Sequence, residues 1–125
     1  MTAKYPWSAD TAAARVNSVH ALFEANDASI KSVFTQLFSP EPQNSDQSTQ
    51  SSPLDGAIVS VKDLFDVKGY TTKAGTQFLS RDAAATDDAP AIKHLRQAGC
   101  ALIGHTNMTE LAYSGLGLNL SLIHI

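Results

Sequence analysis

"GAIVSVKDLFDVKGYTTKAG" occupies residues 56–75. It opens as a small, apolar, β-prone run and then meets Lys62 and Asp63. Its reading decides the fold, because an apolar strand ending on a lysine is either a solvated strand end or a sheet edge that carries a catalytic base. In an extended strand Ala57, Val59 and Val61 face one side, and Ile58, Ser60 and Lys62 face the other. Gly69 and Gly75 then mark turns. "AIVSV" is therefore a short strand, followed by a glycine-bearing loop.

Outward from this stretch, "TDDAPAIKHLRQAGC" (86–100) predicts a helix. Thr86 or Asp87 serves as its cap, Asp87 and Asp88 suit the positive end of the dipole, and Pro90 fits the first turn. Ile92 and Leu95 form the buried stripe, and Gly99 closes the helix where glycine tolerates a left-handed backbone. "CALIG" (100–104) reads as a buried strand. Strand, helix and strand in that order predict a βαβ unit with parallel strands. "HTNMTELAYSG" (105–115) predicts a further short helix, with Asn107 and Glu110 at capping-box spacing and Gly115 at its end.

Upstream, "SADTAAARVNSVHALFEAND" (8–27) carries Ala12, Val16, Val19, Leu22 and Phe23 at three- and four-residue steps. That is an amphipathic helix, capped by Ser8 or Asp10 and ended by Asn26–Asp27. "SIKSVFTQLF" (29–38) fits helical spacing, yet its β-branched and aromatic content also fits a strand. "SPEPQNSDQSTQSSP" (39–53) holds no large apolar residue and reads as a solvent-exposed linker or loop. The organisation that follows is an N-terminal helix and next element (1–38), the polar linker (39–53), an α/β portion (54–119) and a short tail (120–125).

With 125 residues, 43% of them apolar and 17% charged, the chain suits one soluble domain with a modest core. A formal net charge of −3 argues against a direct nucleic-acid partner. No apolar run approaches the roughly 20 residues of a membrane span, and the first residues lack a secretory h-region. We therefore expect a cytoplasmic protein without a membrane partner. One cysteine, Cys100, excludes an internal disulfide and a cysteine-built metal site.

Lys62 is the leading chemical candidate. A lysine at the C-terminal edge of a parallel strand sits where open α/β sheets build their sites. Kept short of water, it becomes a proton acceptor. On spacing alone the favoured reading is an exposed lysine paired loosely with Asp63 or Asp66. His20, His94, His105 and His124 show no ligand spacing, so no metal is expected. His94 reads as exposed, and His105, after a strand end, as able to line a cleft. "GLGLN" (115–119) lacks the third glycine of a dinucleotide fingerprint, so no cofactor is expected. Cys100 reads as an inert core thiol, and Ser114 as a helix-end cap.

"PLDGAIVSVKDLFDVKGYTTKAGTQFL" (53–79) resembles the lysine-bearing block of the amidase signature family. "IKHLRQAGCALIGHTNMTELAYSGLGLN" (92–119) resembles the helix–strand–"TNM.E.A" block that follows it. The resemblance extends more loosely to "ARVNSVHALFEAND", and makes "SVFTQLF" the strand after it. It implies an α/β fold with a mixed central sheet flanked by helices, of which this chain is the N-terminal, incomplete part. It implies hydrolysis of a small-molecule carboxamide by a serine nucleophile, a bridging serine after a cis peptide bond, and a lysine matched by Lys62. Both serines belong downstream of the "TNM.E.A" block. We therefore expect a truncated fragment that carries the base without the nucleophile, with residues 120–125 foreign to the family. The partners implied are a homodimer or the other subunits of an amidotransferase. Two alternatives stand beside simple amide hydrolysis: the glutaminase subunit of a tRNA-dependent amidotransferase, and a non-catalytic binding module that keeps the fold.

Overall fold

The computed structural model describes residues 7–40 and 52–114. Most of the polar linker, the "GLGLN" run with Gly115, the tail 120–125 and His124 lie outside the described residues. Chain order is α1 (Ala9–Glu24), α2 (Ala28–Val33), β1 (Phe34–Leu37), β2 (Ile58–Lys62), α3 (Pro90–Gln97) and β3 (Ala101–Thr106). Two single turns of 3₁₀ helix, Leu79–Arg81 and Glu110–Ala112, punctuate the loops.

The three strands form one mixed sheet in the order β1-β3-β2. β2 runs parallel to β3, and β1 runs antiparallel to it. The expected βαβ unit is therefore present, with α3 as the crossover. Burial along β2 follows the alternation read from sequence. Val61 is buried, whereas Ser60 and Lys62 are exposed. β3 extends beyond "CALIG" to Thr106, so His105 is an inner strand residue and not a residue after the strand.

The core is a cluster of Phe38, Val61, Val67 and Ile92, with Tyr70, Leu95 and Leu102 packed around it. It joins the end of β1, β2, the loop after β2 and the inner face of α3. The Phe38 and Tyr70 rings pack tilted, 4.5 Å apart between centroids. Gly104 lets β1 approach: a Cβ there would collide with the Gln36 carbonyl oxygen and come within 3.1 Å of the Leu37 Cα.

The ambiguous 29–38 stretch is both things in succession. α2 covers Ala28–Val33 and β1 begins at Phe34. Asp27 caps α2 through hydrogen bonds from the Ser29 hydroxyl and amide, which hold its carboxyl below the ordinary carboxylate range. α1 starts as read, with Ser8 as cap and Thr11 completing a reciprocal capping box. α3 starts later than its acidic residues suggested. Its cap position is Ala89, with no side-chain hydrogen bond. Asp88 instead accepts from the Lys68 amide at 2.8 Å and pairs with the Arg96 guanidinium at 2.8 Å, tying the loop to the helix's last turn. The expected helix after Asn107 is only the 3₁₀ turn Glu110–Ala112, with Thr109 at the cap position and no side-chain cap. Positive φ at Leu111 and Ala112 breaks it.

Candidate functional site

The site is built at the C-terminal edge of β2 and β3, where the chain leaves the sheet. Lys62 ends β2 with its side chain on the exposed face. Among the described residues its amine makes no hydrogen bond or ion pair, so neither Asp63 nor Asp66 neutralises it. Asp63 points to the opposite face and is fully buried. Asp66 accepts from the Thr72 hydroxyl at 2.6 Å. The expectation of a poorly solvated lysine differs from this arrangement: alternation along the strand buries residues 61 and 63 and leaves residue 62 facing out.

Behind Lys62, three strands each send one polar side chain to a common point. Asp63 follows β2, His105 lies on β3 and Thr35 on β1. Asp63 Oδ1 accepts the Lys73 amide at 2.9 Å, and Oδ2 accepts the Thr35 hydroxyl at 3.4 Å. The Asp63 carbonyl accepts the Ala74 amide at 2.9 Å. His105 is also fully buried. Its Nε2 lies 3.1 Å from the Phe65 carbonyl, so Nε2 carries the proton and donates. Nδ1 lies 3.4 Å from Asp63 Oδ1 but is not aligned for a hydrogen bond. The Phe38 ring meets the imidazole edge-on at 4.8 Å. Burial pushes His105 below the ordinary imidazole value, and the Asp63 carboxylate pulls in the other direction. The neutral ring follows from the larger, first effect.

The loop after β2 closes over this buried pair. Ala74 has φ 49° and Gly75 φ 69°, and the Leu111 amide donates to the Ala74 carbonyl at 2.9 Å. The "KAGT" loop thus joins the β2 edge to the turn after β3. In the turns that leave β2 and β3 at this edge several apolar side chains are exposed: Leu64, Phe65, Leu111 and Tyr113 (95%). A shallow open depression lined by Asp66, Thr72, Asp82 and Asp87 lies to one side and does not include Lys62.

The family model described as "Amidase" matches residues 9–121. The chain belongs to the amidase family. It is 44% identical over 75 residues to Amidase 1 of Arabidopsis thaliana, a match over 58% of this chain and 18% of that protein. It is 40% identical over 62 residues to a glutamyl-tRNA(Gln) amidotransferase subunit of Natronomonas pharaonis, covering 50% and 14%. Among solved structures, the allophanate hydrolase of Kluyveromyces lactis aligns with a TM-score of 0.60 at 24% identity, over 95% of this chain and 22% of that one. That likeness bears on the fold: the α/β arrangement expected from the resemblance is the one present. The chain spans less than a fifth of the length of these curated relatives.

Of the other residues considered from sequence, His94 is exposed on α3, as expected. Cys100 is buried, and burial, aided by the Asp55 charge, pushes its thiol above the ordinary range, which suits an inert thiol. No group of three or more metal-ligating side chains occurs among the described residues, and no described helix is long and apolar enough to cross a membrane. Asp63 and the burial of His105 were missed. Extending the alternation of 57, 59 and 61 by one step places Asp63 on the buried face, and that signal was present in the sequence. The burial of His105 depended on how far β3 continued, which "CALIG" did not reveal.

Proposed function

We propose that the protein carrying this chain hydrolyses a C–N bond of a small carboxamide, and that Lys62 is the base. The observation that carries this reading is the placement of Lys62. It ends β2 at the edge from which both βαβ strands exit, within the residues 9–121 that match the family model, with an amine that no described carboxylate neutralises. In this reading a serine oxygen attacks the amide carbonyl, and its proton passes through a bridging serine to the neutral Lys62 amine. The tetrahedral intermediate then collapses, the C–N bond breaks, and the departing amine takes that proton. Water releases the carboxylic acid from the acyl-enzyme. The two serines would come from the part of a longer protein over which the relatives extend.

The exposed apolar side chains beside Lys62 support a covered site. Leu64 and Phe65, exposed in the turn that directly follows Lys62, are apolar side chains that further chain would cover, excluding water and favouring the uncharged amine. Replacing Lys62 by Met in the full-length protein should lower kcat for a simple primary amide by about 100- to 10,000-fold, the usual range for an acid–base group. Retention of more than a tenth of the activity would remove the base assignment. Residues 1–125 alone should give no turnover.

A second reading is a glutaminase subunit that hands ammonia to a partner. It is favoured by the 40% identity to a glutamyl-tRNA(Gln) amidotransferase subunit. Comparing glutamine with simple amides as substrates, with and without added partner subunits, separates the two.

A further inference from the structure

We infer that Asp63 and His105 are positioning residues for the Lys62 amine, an inference that rests on the reading of Lys62 as the base. The two side chains occupy the face of the sheet opposite Lys62, so they do not touch a substrate that Lys62 reaches. What they do is fix the backbone from which Lys62 projects.

The argument begins with cost. A fully buried carboxylate is unfavourable unless its oxygens are bonded. Val61, two residues earlier on the same face, is buried in the apolar cluster, so an apolar residue packs on that face. Asp63 therefore owes its place to what it binds. One carboxylate oxygen accepts the Lys73 amide at 2.9 Å, and the other accepts the Thr35 hydroxyl at 3.4 Å. Its main-chain carbonyl accepts the Ala74 amide at 2.9 Å. One residue thereby joins β1, the end of β2 and the 73–76 loop.

His105 adds the third strand. Its Nε2–H donates to the Phe65 carbonyl at 3.1 Å, across the turn that starts at Lys62. The Lys62 carbonyl itself accepts the Leu64 and Phe65 amides, at 2.6 and 3.2 Å. The turn after Lys62 is thus tethered at Lys62, Asp63 and Phe65, to all three strands and one loop. The Phe38 ring packs edge-on against the imidazole and no part of His105 is exposed, so close packing holds it in place. A base must stand within about 3 Å of its proton donor, and a displacement of about 1 Å costs on the order of 100-fold in rate. A rigid backbone beneath an exposed, flexible lysine limits that displacement.

The experiment uses the full-length protein and the variants Asp63→Ala, Asp63→Asn, His105→Gln and Lys62→Met. Two quantities are read: amide hydrogen exchange at Lys73, Ala74 and Phe65, and kcat and KM on a primary amide. Asp63→Asn keeps an oxygen for the Lys73 amide, and His105→Gln keeps a donor for the Phe65 carbonyl, so both variants should retain most of the activity. Asp63→Ala should speed exchange at Lys73 and lower kcat by about 100-fold with little change in KM. Unchanged exchange in Asp63→Ala overturns the tethering. Faster exchange with an unchanged kcat overturns the link to Lys62 and leaves a purely structural pair. Equal losses in Asp63→Asn and Asp63→Ala also overturn it, because the retained acceptor should rescue. Activity that survives Lys62→Met sinks the base assignment itself. Loss in Lys62→Met alongside full activity in Asp63→Ala sinks only the positioning role.

Discussion

Helix α1 begins with a reciprocal Ser8–Thr11 capping box, whereas α3 begins at Ala89 with no side-chain cap at all. The difference in burial runs the other way. α3 sends Ile92 into the main core with Val61, Val67 and Phe38, and α1, among the described residues, buries Ala12 and Val16 while leaving Leu22 exposed. A helix with a good apolar anchor can start on proline and a tethered loop, because packing supplies its stability. A helix at the margin relies on its own first turn. The two helices are thus held at different links of the same chain, α3 by tertiary packing and α1 by local hydrogen bonds and the Trp7 indole N–H donated to the Pro53 carbonyl at 2.9 Å.

The largest stability effect expected is in α3. Ile92→Ala removes the central side chain of the core and should cost about 2–5 kcal/mol, read by urea denaturation. The loss should appear together in probes of β2, β3 and α3, since all three meet at that residue. A cost under about 1 kcal/mol would mean that the βαβ unit does not depend on this cluster.

Much of this contrast was legible in the sequence. The period of 3.6 in 8–27, the Pro90 start and the Gly99 stop marked both helices, and the alternation in 57–61 marked β2 and put Lys62 on the face opposite Val61. Three things were not legible, each for a physical reason. Asp87 and Asp88 looked like helix-start residues, yet Asp88 reaches Arg96 eight residues on, a contact that only the folded loop brings about. The 29–38 stretch satisfied two periodicities because a six-residue helix passes directly into a four-residue strand. The solvation of Lys62 depends on what covers the sheet edge, and no local pattern encodes that. The buried Asp63–His105 pair lay between these cases. Asp63 followed from alternation, whereas His105 required knowing that β3 runs on to Thr106 and pairs Gln36 with His105 across the sheet.

The same pair sharpens the comparison by pH. Burial holds the folded-state value of His105 below the ordinary 6.5, so the unfolded chain binds its proton first as pH falls. The stability tied to neutral His105 is present above pH 6.5 and declines below it, through the folded-state value. Groups facing the ring are the Asp63 and Asp66 carboxylates, which oppose the shift, and the Lys73 amine, which adds to it. Thermal midpoints between pH 7.5 and 5 should fall in the wild type, and the part due to this ring should vanish in His105→Gln. No residue of α1 is among the groups that act on the His105 ring, so local exchange rates in α1, corrected for intrinsic chemistry, should not follow that curve. A slope identical in wild type and His105→Gln would place the acid sensitivity elsewhere.

The smallest effect belongs to α1 and tests the comparison from its other side. Ser8→Ala deletes the hydroxyl that accepts the Thr11 amide at 3.4 Å and meets the Thr11 hydroxyl at 3.1 Å, leaving both Thr11 groups on the Ser8 main-chain carbonyl alone. The expected cost is about 1 kcal/mol. Because Ala12 and Val16 are the buried α1 side chains among the described residues, and neither belongs to the cluster around Ile92, the loss should be local. Amides in the first turns of α1 should exchange about fivefold faster, the factor that 1 kcal/mol gives, while those of β3 keep their protection. If instead β3 loses protection by the same factor, α1 and the βαβ unit open as one cooperative body, and the division between a locally capped helix and a packed one does not describe how this chain unfolds.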